Sequence, residues 1–214
     1  MSPKRDIHVS PEHRLPYNFS AYPSPPLSPP SSTMTTPDFY LHQLLRYYQP
    51  DVAPGHCSAI LWDLRESPES ARRVVHLDET ISAAQLSQHA TGPPIVILHI
   101  TCDLFPDWPI EVRRLEGITV QDILNAIYTM LQQQIRRREW DAFSDKHRAR
   151  VEAVFDDRCK SAVDRDECRS RGVLRVDCLL HHTLFAGLSI SPDLECACIL
   201  TLRRPRPTSV PVPP

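Results

Sequence analysis

The amino-acid sequence predicts one α+β domain, in which two to four helices cover a mainly antiparallel sheet, flanked by proline-rich tails. Short apolar segments are joined both by tight turns and by amphipathic helices, without a regular βαβ alternation. Of the 22 prolines, nine lie in residues 1–37 and five in residues 205–214. Proline lacks an amide donor and these ends carry few apolar residues, which favours disorder. We therefore expect disordered tails over 1–36 and 205–214 around a domain over 37–204.

Apolar runs bounded by turn residues predict the strands of this domain. Residues 108–113 alternate apolar and polar positions, and a short loop separates them from the β-branched run 95–101. Because antiparallel strands can be joined by a short loop, these two segments are expected to pair as an antiparallel ribbon. Further strands are predicted over residues 57–64, 73–77 and 196–202, and residues 184–188 form another apolar segment.

The best-defined helix is predicted from residue 120, with Thr119 and Asp122 forming a capping box. Apolar residues then recur at helical spacing, and Arg136–Arg138 are expected to lie at its negative end. Three further helices are predicted, one beginning near Pro37, one with Ser82 and Gln85 as its capping box, and one between Asp145 and Arg171.

Charge and composition narrow the classes of function. The formal net charge is −2 at pH 7, so no global field favours nucleic acid or an anionic membrane. The most apolar run, residues 95–100, is far shorter than the roughly 20 residues of a membrane-spanning helix. The seven scattered cysteines and a polar start over residues 1–6 indicate reduced thiols in an intracellular protein, in the cytoplasm or nucleus.

Motifs for enzyme chemistry are missing from the sequence. Its five glycines are far apart, so neither a P-loop nor a dinucleotide fingerprint is present. There is also no nucleophile elbow and no His-Glu-x-x-His pair. We therefore assign no catalytic residue and expect no cofactor.

Thiols and imidazoles near the C-terminal end raise the question of zinc. Cys178, His181, Cys196 and Cys198 are residue types that bind this metal. No paired Cys-x-x-Cys accompanies them, and single cysteines are commonly small buried hydrophobes. The favoured interpretation is that no metal binds.

The N-terminal tail contains a proline-rich motif over residues 23–30. Such a segment forms a polyproline II surface that fits the grooves of polyproline-binding domains. Phosphorylation at Ser24 or Ser28 would add negative charge and alter this docking. The alternative is a tether without a binding role.

Five short motifs follow one another along the chain: Trp62-Asp63-Leu64-Arg65, Trp108-Pro109-Ile110, Asp122-Ile123-Leu124, Arg175-Val176-Asp177 and Phe185-Ala186-Gly187-Leu188. In this order they resemble a domain family of unknown function that is found in many fungi, especially basidiomycetes. The resemblance extends over roughly residues 41–190 and implies no activity, because the family has none to carry over. Cys178 departs from the family pattern, where an aromatic residue is usual.

Two interpretations remain for the charged and tryptophan residues of these motifs. In the first, a buried Asp–Arg network couples residues 62–65 with residues 175–177 and stabilises the fold. In the second, the same groups line a pocket with two tryptophans.

The leading hypothesis for function is a non-enzymatic protein-interaction module; the alternative is a small-molecule-binding domain or an enzyme of unfamiliar mechanism. The candidate residues are Trp62, Asp63, Arg65, Trp108, Arg175 and Asp177.

Overall fold

The computed structural model describes residues 39–48 and 58–205, and these form the expected α+β fold. Two 3₁₀ helices, Pro68–Ser70 and Arg175–Leu179, accompany the regular elements. The strands are β1 Tyr40–Leu41, β2 Ile60–Leu61, β3 Arg72–Arg73, β4 His76–Thr80, β5 Thr91–Gly92, β6 Ile97–Thr101, β7 Ile110–Arg113, β8 Leu184–Ile190 and β9 Ala197–Arg203. The helices are α1 Ala83–Leu86, α2 Val120–Leu131, α3 Arg137–Asp141, α4 Asp145–Ser161 and α5 Arg165–Ser170.

A four-stranded sheet in the order β7-β6-β9-β8 is the centre of the fold. The predicted ribbon is confirmed, since β6 pairs antiparallel with β7. A second antiparallel pair joins β8 to β9. The pairing of β6 with β9 is parallel, because the chain passes through helices α2 to α5 before it returns to the sheet.

Two smaller sheets flank this centre. One has the order β2-β3-β4, and the other pairs β1 with β5. Two chain segments also run along the outer edge of β8. The backbone N–H of Tyr47 donates to the carbonyl of Leu188, and that of Phe185 donates to the carbonyl of Trp62. The edge strand of the central sheet is thereby covered.

The hydrophobic core lies between α2 and the central sheet. The Thr119–Asp122 capping box at the start of α2 is confirmed, as is the Ser82–Gln85 box at the start of α1. Trp62 and Phe185 meet in this core with ring centroids 6.0 Å apart. The residues of α2 that are buried are Val120, Ile123, Leu124, Ile127, Met130 and Leu131.

The prediction of a helix beginning near Pro37 is wrong for the residues that the structure describes, which begin at residue 39. Tyr40 and Leu41 form a strand, and residues 43–45 form a turn. The backbone N–H of His42 donates to the carbonyl of Ala90, so pairing to a distant segment replaces local helical bonding. The apolar spacing was produced by the buried face of this strand and turn. Pro37 itself lies outside the described residues.

The ends of the central helices also differ from expectation. Helix α2 ends at Leu131, because the backbone beyond it pairs with residues 173–175: Ile135 bonds to Val173, and Arg175 to Gln133. The three arginines thus contribute to the start of α3 and do not end α2. The segment Asp145–Arg171 forms two helices, and a new cap at Asp164 begins the second.

Two other strand predictions change in extent. The strand predicted over residues 73–77 is interrupted by a turn at Val74 and Val75. The first predicted strand is reduced to Ile60–Leu61. None of the helices in residues 39–48 and 58–205 has the length and apolar character needed to cross a membrane. The predicted tails, with Ser24 and Ser28, lie outside the described residues apart from Pro205 at the C-terminal boundary.

Candidate functional site

Trp108 and Arg175, both predicted as site residues, come together around Glu139. The indole N–H of Trp108 and the Nη2 of Arg175 each donate to Oε1 of Glu139 at 2.9 Å. The guanidinium of Arg175 stacks 4.9 Å from the centroid of the Trp108 ring, and its Nη1 donates to Gln133 at 2.7 Å. Trp108 and Arg175 are 6% and 8% exposed. The side chains thus form one buried ionic and aromatic cluster.

The carboxylate of Glu139 is held in its charged form by this cluster. Burial by itself raises the pKa of Glu139, but hydrogen bonds from the Arg136 backbone, Arg175 and Trp108, with the positive charge of Arg175, outweigh burial and lower it. The second oxygen, Oε2, accepts from the backbone N–H of Arg136 at 2.7 Å. Both oxygens therefore have donors, an arrangement suited to positioning side chains.

A second buried ion pair joins Asp177 to Arg158. The Nε and Nη2 of Arg158 donate to the two carboxylate oxygens of Asp177, each at 2.8 Å. Asp177, whose side chain is 1% exposed, also accepts from the backbone N–H of Leu174. The hydrogen bond with Asp177 raises the pKa of Arg158. This pair ties α4 to the 3₁₀ helix Arg175–Leu179.

The predicted coupling of residues 62–65 with residues 175–177 is corrected by these contacts. Asp63 pairs instead with Arg65 at 2.6 Å, and Thr183 donates to it at 3.4 Å. The Trp62 indole donates to the carbonyl of Glu66. Among the described residues, no hydrogen bond or ion pair joins the two segments. Asp177 pairs with Arg158, and Arg175 pairs with Glu139. Both partners are too distant in the sequence for residue spacing to indicate them.

The four candidate zinc ligands are not assembled. The described part of the chain contains no group of three or more His, Cys, Asp or Glu side chains placed to hold a metal ion. Cys198 is buried in β9 and Cys196 is exposed before it. Burial raises the pKa of both Cys178 and Cys198 to about 12, which disfavours the thiolate form that binds metal. His181 is exposed in a loop.

A groove of about 600 Å³ lies between the three-stranded sheet and the adjoining ends of β8 and β9. Asp63, a predicted site residue, lies on its rim. Arg203 also lines the groove, and its buried Nε has no hydrogen-bond acceptor among the described residues. The apolar part of its wall comes from Leu61, Val74, Leu77, Leu184 and Pro205, and the polar side chains of Glu66, Ser70 and Arg72 line it as well.

Strand β4 forms one edge of the sheet at this groove. All five of its side chains, His76–Thr80, are exposed. Within the described residues its only strand partner is β3. An exposed edge presents free backbone N–H and C=O groups to an incoming strand. Sequence reasoning missed this surface, because residues 76–80 lack the apolar alternation of a half-buried strand.

Comparison with known proteins adds one match. A model of a family of unknown function, DUF6699, matches residues 60–195, which is more than half of the chain. The protein belongs to the DUF6699 family. No curated protein and no solved structure matches the chain.

The DUF6699 match includes the whole Trp108–Glu139–Arg175 cluster and the Arg158–Asp177 pair. It also includes the three-stranded sheet and most of the groove wall. Arg203 and Pro205, at the end of the groove, lie beyond the matched residues. The buried ion pairs are thus part of the DUF6699 region, whereas one end of the groove is supplied by residues outside it.

Proposed function

We propose that this protein is a non-enzymatic interaction module that binds an extended peptide of a partner protein in the groove beside β4. The observation that carries the proposal is the exposed edge of β4 beside a largely apolar groove, which Arg203 also lines. An exposed strand edge offers free backbone N–H and C=O groups, and the positive charge of Arg203 favours an acidic group on the strand that pairs with this edge.

The chemistry of the groove indicates which peptide it accepts. Aliphatic side chains form its apolar walls, whereas grooves for polyproline peptides are lined by aromatic rings. The edge of β4 favours a segment that enters as an added strand. The proposed ligand is therefore an extended peptide with aliphatic side chains and an acidic group that accepts from Arg203.

The buried cluster supports a non-enzymatic role for the same domain. Trp108, Glu139 and Arg175 are packed against one another, and the oxygens of Glu139 are occupied by donors. A general acid or base needs to reach a substrate proton, which this carboxylate does not do here. The cluster is better explained as a support of the fold.

A random 12-residue peptide library displayed on phage tests this proposal. We expect the full chain to enrich peptides with aliphatic and acidic residues. Leu77→Asp and Arg203→Gln should each weaken an enriched peptide by about tenfold or more. Leu115→Asp is the control, because Leu115 is 88% exposed and does not line the groove. Binding that survives both groove variants, or no enrichment at all, would contradict the proposal.

A second candidate function is binding of a small anion beside the cluster. A cavity of about 530 Å³ is lined by Trp108, Glu139 and Arg175, and the buried Nε of Arg175 has no acceptor among the described residues. A thermal-shift screen with small carboxylates and phosphates tests it. A rise in melting temperature that is lost in Arg175→Lys would support this candidate, and no rise would exclude these anions.

Two further expectations belong to the same proposal. The protein acts inside the cell, in the cytoplasm or the nucleus, as its thiol content suggests. Residues 23–30 provide a separate docking peptide for polyproline-binding domains of other proteins. Binding of a purified SH3 or WW domain to a synthetic peptide of residues 20–33 tests the second expectation.

A further inference from the structure

Two cysteines lie in contact where α4 and α5 meet. The Sγ atoms of Cys159 and Cys168 are 3.1 Å apart. Cys159 is 1% exposed and Cys168 is 8% exposed, and neither takes part in the groove or the Trp108 cluster. A disulfide has a sulfur–sulfur bond of about 2.05 Å, so the two atoms need approach by only about 1 Å.

We infer that Cys159 and Cys168 are a reversible oxidation site, at which a peroxide converts the two thiols into an intramolecular disulfide. The pair differs from the other described thiols, because each of its sulfurs has another sulfur as its neighbour. The inference is independent of the proposed groove function.

The neighbouring side chains assign different roles to the two thiols. Nη1 of Arg158 donates to the Sγ of Cys168 at 3.0 Å, so a cation lies beside this sulfur. Cys168 is also the more exposed of the two. Burial, together with the hydrogen bond to Cys168, raises the pKa of Cys159. Cys168 is therefore the thiol that meets the oxidant, and Cys159 is the one that resolves the product.

The reaction balances with hydrogen peroxide as the oxidant. The Cys168 sulfur attacks one peroxide oxygen, an S–O bond forms, the O–O bond breaks, and hydroxide leaves with the thiol proton as water. The Cys159 sulfur then attacks the sulfenic sulfur of Cys168. An S–S bond forms, the S–O bond breaks, and hydroxide leaves with the second thiol proton as a second water. A dithiol reverses the product by thiol–disulfide exchange.

The disulfide would add a covalent link between α4 and α5. Besides the contacts of Cys159 and Arg158 with Cys168, an exposed ion pair between Arg169 and Asp156, at 3.3 Å, also joins these helices. Exposed ion pairs stabilise little. Oxidation closes a short loop over residues 159–168, which restricts the unfolded chain and stabilises the α4–α5 corner.

Peptide mapping of the full-length protein tests this inference without any substitution. The reduced protein is treated with increasing hydrogen peroxide, the remaining thiols are alkylated in denaturant, and trypsin is added without reductant. Cleavage after Arg158, Lys160, Arg165 and Arg169 releases the two cysteines in separate short peptides, 159–160 and 166–169. We expect these two peptides linked, two hydrogens lighter than their sum, and separated again by dithiothreitol.

Matched variants sharpen the outcome. Cys168→Ser should leave Cys159 alkylated, whereas Cys196→Ser, at an exposed thiol outside the pair, should leave the linked peptide unchanged. Oxidation should raise the melting temperature of the wild type by about 5 °C, and this rise should be missing in Cys168→Ser. Recovery of both Cys159 and Cys168 as alkylated peptides, at a peroxide dose that already oxidises Cys196, would overturn the inference.

Discussion

Two arginines hold the buried carboxylates of this domain in place through ion pairs. Arg158 binds Asp177 from α4, and Arg175 binds Glu139 while it stacks on Trp108. A charge buried away from water is tolerated only when it is paired and hydrogen-bonded. Asp63 differs, because its partner Arg65 is two residues away and 55% exposed at the side chain. Its pairing is local and contributes little to the fold.

Substitution of Asp177 by Asn should be strongly destabilising. It leaves the Arg158 guanidinium partly buried without an anion, and loss of one partner from a buried pair costs about 3 kcal/mol. Asp157→Asn is the control, since its pair with Lys160 is exposed and should cost less than about 0.5 kcal/mol. Urea unfolding followed by tryptophan fluorescence measures both. Equal losses in the two variants would show that the buried pair does not stabilise the fold.

At the scale of the elements, β8 has hydrogen-bonded neighbours on both of its sides, which its own sequence does not indicate. It pairs with β9 on one side, while residues 45–47 and 62–64 bond to its other side. Gly187 has φ of +125°, and a β-carbon there would lie 2.6 Å from the backbone nitrogen of Tyr47. Only glycine allows the two backbones to approach so closely.

Gly187→Ala should therefore cost about 3 kcal/mol of unfolding free energy, since both the φ angle and a backbone contact oppose the methyl group. Gly172→Ala is the matched comparison. Its φ of +67° lies in the left-handed region, and its closest neighbour is the end of the Gln134 side chain, which can move. We expect about 1 kcal/mol there. Chemical denaturation ranks the two, and a smaller loss at Gly187 would contradict the close approach.

At the scale of the whole molecule, partly buried carboxylates make the free energy of unfolding depend on pH in the acidic range. Burial raises the pKa of Asp122, but hydrogen bonds from Thr119 and from Arg114, with the charge of Arg114, lower it overall. The pKa of Glu139 is lowered in the same way by the groups that donate hydrogen bonds to its carboxylate. A carboxylate whose pKa is lower in the folded state binds fewer protons there than in the unfolded chain. Its contribution is full above the unfolded pKa and is lost as the pH falls through the folded pKa.

We therefore expect unfolding free energy to change little through these two groups between pH 7 and about pH 5, and to fall below about pH 4.5. Glu139→Gln should reduce the acid dependence, because it removes one titrating group. Glu152→Gln, at an exposed position of α4, should leave it unchanged. Denaturation midpoints at constant ionic strength measure all three proteins. An acid dependence that is the same in Glu139→Gln as in the wild type would refute the role of Glu139.

The sequence by itself determined the features that depend on neighbouring residues. The caps of α1 and α2, the core face of α2 and the β6–β7 ribbon are set by residue spacing within short segments. The α+β class followed from apolar segments joined both by tight turns and by helices, and the resemblance to a family of unknown function is in agreement with the DUF6699 match. Helix ends depend on distant partners as well, because α2 stops where the backbone beyond it bonds to residues 173–175, 38 to 42 positions along the chain.

Only the tertiary structure decided the partners of the buried charges, the thiol pair and the groove. Trp108 and Glu139 are separated by 31 residues, Arg175 and Glu139 by 36 and Arg158 and Asp177 by 19. The parallel pairing of β6 with β9 joins segments almost 100 residues apart. Spacing along a chain reports which side chains share a face of one element. Which elements pack together depends on the packing of the whole core. That packing determines which of many similar charged and polar residues become partners.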